Sequence, residues 1–283
     1  MSACKDLDTV KKVEALRALS HRLRRTAVEM AHASGESGAH LGGSLSCIEI
    51  YEVLYCAVMR LKPDEPNWPD RDRLVSGKEH AVLGQYPAMA AAGLFSEDLL
   101  MNYKKNNNPL AGHPLSPELG FDYSCCSLGM ALPVAVGMAL DTKRCGRDHR
   151  VFTVVGDGEL DEGSVWEAIM SAAQFRLDNL IAVVDRNGLS SDGPTESIMA
   201  LENLEDKFKA FGWDCVVVDG HDVEALLHAF EDHVPSGRPY AVIAKTTKGK
   251  GLSFAENVPL WHKSVLTDAL YEQALRELGE IES

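Results

Sequence analysis

The chain has 283 residues, 45% apolar and 25% charged, enough for one large domain or two small ones with a substantial core. Its 42 acidic and 28 basic residues leave a net charge of −14, which argues against nucleic acid or an anionic membrane as the main partner. The seven cysteines are scattered without Cys-x-x-Cys spacing, which argues against zinc and fits a reducing cytoplasmic compartment.

The first elements are helical. Residues 7–33 read as a helix with apolar positions at Leu16, Leu19, Leu23, Val28 and Met30. The glycine-rich loop SGESGAHLGGS follows, then LSCIEIYEVLYCAVM as a second helix. KPDEPNWPDRDR is a surface loop, RLVSG a short strand, and 80–93 a helix. Residues 104–126 are irregular around NNNPLAGHP, with Cys125 and Cys126 as small loop filler; 127–145 return to helix. The opening residues lack the apolar core of a signal peptide. The longest apolar run, 130–140, contains Pro133 and Gly137 and is too short for a bilayer.

The second half alternates. VFTVV, LIAVVD, DCVVVDG and YAVIAKT read as strands, with helices at 164–176, 201–211 and 222–233 between them. The apolar runs are continuous, as in strands buried on both faces. The expected fold is α/β, a parallel sheet with helices on both faces, forming a single domain over 1–283. Ligands of such sheets bind at the carboxyl ends of strands. Gly156-Asp157-Gly158, Asp185-Arg186-Asn187, Asp219-Gly220-His221 and Lys245-Thr246-Thr247 all stand there.

The stretch VVGDGELDEG ends a strand on an aspartate between two glycines, with further acids behind it. A tight turn capped by Asp157 accounts for the glycines; a bound cation accounts for the acids as well. Asn187 follows thirty residues later, one strand-helix-strand unit away. A carboxylate and an amide oxygen reaching one point form an oxygen site of the kind magnesium takes, with phosphates completing its shell.

Gly-Asp-Gly after one strand and Asn after the next resemble the thiamine-diphosphate motif. From about residue 12 to 280 the chain resembles the N-terminal, diphosphate-binding half of transketolase, through GAHLGGSLS, SGKEHA, AGHP, SLGMALPVAVGMAL, GDGELDEGSVWEA, DRNGLSSDGPT, DGHD, KTTKGKG and WHK. The resemblance implies thiamine diphosphate and Mg²⁺ (or Ca²⁺ or Mn²⁺) as cofactors. Asp157, Asn187 and the Leu189 carbonyl are the implied metal ligands. Ser127, Leu128, Gly129, Gly156 and Gly158 border the diphosphate, and Glu159 joins that group while also reading, with Asp161, as a first-turn helix acid. His40, His80, His113 and His262 match the histidines around the thiazolium and the substrate hydroxyls, His80 and His262 also touching cofactor. Glu162 and Glu167 match acids of a glutamate network at the transketolase dimer interface. Among Lys245, Lys248 and Lys250, Lys245 is assigned to the diphosphate; Lys78 and Lys263 flank the histidines. His21, His32, His149, His221, His228 and His233 read as surface or structural.

Two departures stand out. Met130-Ala131 replaces the family's usual Gln-Gly, and SGKEHA carries one residue more than the common pattern. The pyrimidine-binding domain, with its activating glutamate and the sugar-phosphate arginines, is expected on a separate chain. The implied protein is therefore one subunit of a split transketolase, an α₂β₂ assembly moving a two-carbon ketol unit from a ketose to an aldose. Alternatives are a 1-deoxyxylulose-5-phosphate synthase half, a non-catalytic paralogue and a 2-oxoacid dehydrogenase α-subunit; Glu162, WHK and the four histidines favour transketolase.

Overall fold

The computed structural model describes residues 8–114, 116–124 and 127–279; Cys125 and Cys126 lie outside them. Five strands form one parallel sheet: β1 (Arg73–Ser76), β2 (Val151–Gly156), β3 (Leu180–Arg186), β4 (Asp214–Asp219) and β5 (Tyr240–Lys245), in the order β1-β2-β3-β5-β4. The central strands are covered on both faces, which is why their sequences are mostly apolar up to their carboxyl ends. Phe152, Val154, Ile181, Val183 and Val242 point into one core, and Val151, Val155, Ala182, Val184 and Ile243 into the other. Register pairs Gly156 with Asp185, and Asp185 with Ala244. The carboxyl ends of the three central strands are therefore level.

The helices, in chain order, are α1 (Thr9–Ala33), α2 (Leu41–Leu45), α3 (Ile48–Glu52), α4 (Val82–Ala91), α5 (Ala131–Arg144), α6 (Gly163–Gln174), α7 (Thr195–Ile198), α8 (Leu204–Ala210), α9 (Val223–Glu231) and α10 (Asp268–Gly279). Buried residues of α1 to α4, α9 and α10 line the first core; those of α5, α6 and α8 line the second. Asp8 caps α1 by accepting from Lys11 N at 3.1 Å, and Leu16, Leu23, Ala27 and Met30 form its buried stripe. Among the described residues no helix is long and apolar enough to cross a membrane.

The predicted helix LSCIEIYEVLYCAVM is broken. It runs as α3 followed by a π-helical turn over Val53–Val58, with α2 a separate segment before it. Ser46 Oγ donates to the Gly43 carbonyl at 3.0 Å, and Cys47 Sγ approaches the same oxygen at 3.1 Å. Side chains that bond the backbone locally compete with the helical ladder. The break turns Ser46 toward Asp185, which accepts its hydroxyl at 2.7 Å. The helix predicted from 127 starts at Ala131, leaving Leu128, Gly129 and Met130 in a turn at the sheet's carboxyl edge.

Candidate active site

A cavity of about 450 Å³ opens at that edge. Gly156, Asp157 and Gly158 reach it from β2, and Asn187, Leu189 and Ser190 from β3. The loop after β1 brings Lys78 and His80, the loop before α2 brings His40, the irregular segment brings His113, and the region after β5 brings Lys248 and His262. His40 is central: its ring centroid lies 5.4 Å from His80, 6.0 Å from His113 and 5.4 Å from His262, and His80 is 5.1 Å from His262. Burial, then the neighbouring His262 and His113, lower the His40 pKa to about 3; burial and Lys248 lower His262 to about 4. His80 and His113 move in the same direction, again chiefly through burial. Four neutral imidazoles, each both donor and acceptor, thus face one space near pH 7. His40 Nδ1 is buried without a protein partner, as a group awaiting a ligand would be.

Beneath the histidines lies a buried charge network. Asp185 pairs with Lys78 and accepts from Ser46, from Thr246 and from Asn187 Nδ2 at 3.0 Å. Burial raises the Asp185 pKa, but Lys78 outweighs it and holds the carboxyl well below its usual range. An acid at the end of an apolar strand was visible in LIAVVD; its partner was not, because Lys78 is remote in sequence. The Lys248 ammonium is also buried, donating to the Ser190 carbonyl at 2.8 Å and the Leu189 carbonyl at 3.3 Å, with His262 Nδ1 at 3.4 Å. Burial and then Lys78 lower its pKa to about 8. Asp185 compensates the Lys78 charge, so the Lys248 ammonium, held by carbonyl oxygens, is the buried cation this acidic chain offers to a polyanion here.

Asp157, Asn187 and Leu189 line the same cavity. Asp157 is 1% exposed; Oδ1 accepts from Gly158 N at 2.9 Å, and Oδ2 from Gly188 N at 2.6 Å and Arg186 Nη1 at 3.1 Å. Burial, then Asp185, raises its pKa. Because Asn187 Nδ2 is committed to Asp185, Oδ1 turns to the loop, where Leu189 N donates at 3.1 Å. Asp157, Asn187 and the Leu189 carbonyl offer oxygen only, which suits a hard divalent cation. Among the described residues no group of three or more His, Cys, Asp or Glu side chains is arranged to hold a metal.

Residues 10–281 match the family described as transketolase, thiamine diphosphate binding domain. The chain belongs to this family. The transketolase domain is 37% identical over 270 residues to an apulose-4-phosphate transketolase subunit of Phocaeicola vulgatus, covering 95% of each. It is 40% identical over 241 residues to a 6-deoxy-6-sulfo-D-fructose transketolase subunit of Clostridium sp. strain MSTE9, covering 84% of this chain and 88% of the relative. The transketolase crystal structure from Campylobacter jejuni superposes with a TM-score of 0.84 at 28% identity, over 94% of this chain and 43% of that one. Relative to that longer transketolase the domain spans about two fifths of the length.

Not every sequence assignment falls at the cavity. Lys245 does not: alternation along β5 puts it on the α8 side with Ile243, where it lines a separate surface cavity with Arg186 and Glu202. Lys248, three residues on, is the lysine that enters. Glu162 lines the cavity as the residue before α6, whereas Glu167 is exposed farther along that helix and does not. Leu128 lines it and Ser127 does not. Glu159 is no solvated first-turn acid: it is 2% exposed and accepts from Gly129 N at 3.1 Å and Gly156 N at 3.3 Å, so those two amides are already engaged. Burial pushes its pKa to about 7. A Cβ on Gly77 would lie 2.2 Å from this carboxylate, which would have to shift to admit one. Four other histidines are structural: His32 stacks on Tyr271 at 4.1 Å, His233 on Tyr240 at 3.7 Å, His149 bonds Thr142 at 2.7 Å and His228 bonds Asp232 at 3.0 Å.

Proposed function

We propose that this chain is the thiamine-diphosphate-holding subunit of a two-chain transketolase of the cytoplasm, moving a two-carbon ketol unit from a ketose to an aldose. Its four-histidine cavity with the Lys248 ammonium is the observation that carries this reading. The length-matched relatives named as transketolase subunits support the division into two chains. The partner is a C-terminal transketolase subunit with the pyrimidine-binding domain, in an α₂β₂ assembly, and this chain is a single diphosphate- and metal-binding domain. The substrates are sugars with an anionic end, as in the relatives' named substrates, and the partner reads that end.

The residues fit the absent groups. Lys248 would balance the diphosphate, and Asp157, Asn187 and the Leu189 carbonyl would hold Mg²⁺. Bound thiamine diphosphate supplies a carbon nucleophile for the ketose carbonyl and an electron sink for carbon–carbon cleavage. His40, His80, His113 and His262 hold the sugar hydroxyls and, being neutral, accept the hydroxyl proton of the donor as the bond breaks and return one to the acceptor carbonyl oxygen. Leu128 and Ile198 would exclude water from the site once a partner subunit covers them. Glu162 and Glu167, exposed in this chain, would meet carboxylates across the subunit interface.

The test is the assembled enzyme carrying Asp157→Ala. Its metal-dependent ketol transfer should fall by about 100-fold or more, with the fold kept by circular dichroism. Unchanged activity would remove the metal assignment.

A further inference from the structure

The DGHD motif, 219–222, has no part in the cavity, yet each of its residues is tied into the structure. Asp219 Oδ1 accepts from His221 N at 2.9 Å, and Asp222 Oδ1 caps α9 by accepting from Glu224 N at 3.0 Å. A Cβ on Gly220 would meet Thr246 Cγ2 at 2.5 Å, so glycine allows the turn to press against the 246–250 segment. His221 makes the decisive contact. Thr247 N donates to His221 Nε2 at 2.8 Å, and His221 Nδ1 lies 3.1 Å from Glu49 Oε2. Because Nε2 accepts an amide hydrogen, the proton sits on Nδ1 and is given to Glu49.

Glu49 is itself fixed. It is 5% exposed and paired with Arg24, which is 6% exposed and donates to the Leu45 carbonyl at 2.9 Å and the Lys250 carbonyl at 3.0 Å. The chain Arg24–Glu49–His221 therefore grips 247–250 at both ends, at Thr247 N and at the Lys250 carbonyl. Between them sits Lys248, whose ammonium reaches the Ser190 and Leu189 carbonyls and the His262 ring.

We propose that His221 is a positioning residue for Lys248: oriented by Glu49 and Arg24, it fixes the Thr247 amide and so aims the Lys248 ammonium at the diphosphate subsite. Its consequence for binding rests on the cofactor reading above; its consequence for the loop does not. Removing either buried ion-pair partner leaves an uncompensated charge and would unfold more than this loop, so the informative variants are at His221. His221→Ala removes the acceptor. His221→Gln keeps an amide donor and a carbonyl acceptor side by side.

Hydrogen–deuterium exchange on the full chain and titration of the assembled enzyme with thiamine diphosphate and Mg²⁺ test this together. In His221→Ala, exchange over 246–250 should rise about tenfold while β2 and β3 keep wild-type protection, and the dissociation constant should rise about tenfold. Both should return to within about twofold of wild type in His221→Gln. Wild-type exchange over 246–250 in His221→Ala would overturn the proposal. So would increased exchange spread evenly over the sheet, which marks a general structural role. A raised loop exchange in His221→Ala combined with unaltered cofactor affinity in Lys248→Ala would uphold the positioning and defeat the cofactor reading of the cavity instead.

Discussion

Asp185 and Lys78 show what a buried charge costs and what it fixes. Both side chains are almost fully buried, and the pair is completed by Ser46, Asn187 and Thr246 around the carboxylate. Lys78→Met should destabilise the protein by about 3–5 kcal/mol, since Asp185 would be left as an unpaired buried charge. Urea unfolding of the variant measures this, and a loss below about 1 kcal/mol would show that the pair is not buried as described. Glu52 is the opposite case. It is fully buried, bonded through one oxygen to Ser20 and without a partner at the other, and burial raises its pKa well above 4.5. The folded state thus holds a proton that the unfolded chain releases. This stabilisation is complete below the unfolded pKa and falls by about 1.4 kcal/mol per pH unit above it, until the folded pKa is reached. Glu52→Gln should remove that decline, so its stability relative to wild type should improve as pH rises above the ordinary glutamate range in denaturant titrations. Parallel pH profiles of the two proteins would contradict a neutral Glu52.

At the scale of elements, alternation along a strand decides which lysine serves the site. Lys245 continues the face of Ala241 and Ile243, while Lys248 lies beyond the strand, where the chain turns back over the cavity. Lys245→Ala should leave thiamine diphosphate affinity unchanged, whereas Lys248→Ala should weaken it about tenfold or more in the same calorimetric titration; the reverse ranking would place the wrong lysine at the diphosphate. The strands and their order of use were legible because continuous apolar runs and strand-end glycines are local signals. Asp157 and Asn187 stand at strand ends, whereas the four histidines stand out only through the transketolase-like motifs that carry them. What sequence did not disclose were contacts set by the level strand ends and by the broken helix. Ser46 and Cys47 meet Asp185 only because the helix breaks at those residues. Glu159 reads as a surface helix acid until the Gly129 turn folds over it, and the KTTKGKG lysines differ only in where β5 stops.

The whole molecule carries a net charge of −14 yet places the Lys248 ammonium at the cavity. That contrast is what a polyanionic cofactor needs from an acidic protein. At the cavity, Leu128 and Ile198 are each at least 40% exposed, and Glu162 lines it with them. These two side chains are the apolar surface that the proposed partner subunit would cover. Under the proposed reading this chain works only as half of a cofactor-bearing assembly. Native mass spectrometry of the protein purified from its own source, with Mg²⁺ and thiamine diphosphate present, tests it most directly. The expected spectrum contains a stoichiometric second chain and bound cofactor in one complex. A homo-oligomer of this chain alone, without partner or cofactor, would contradict the claim.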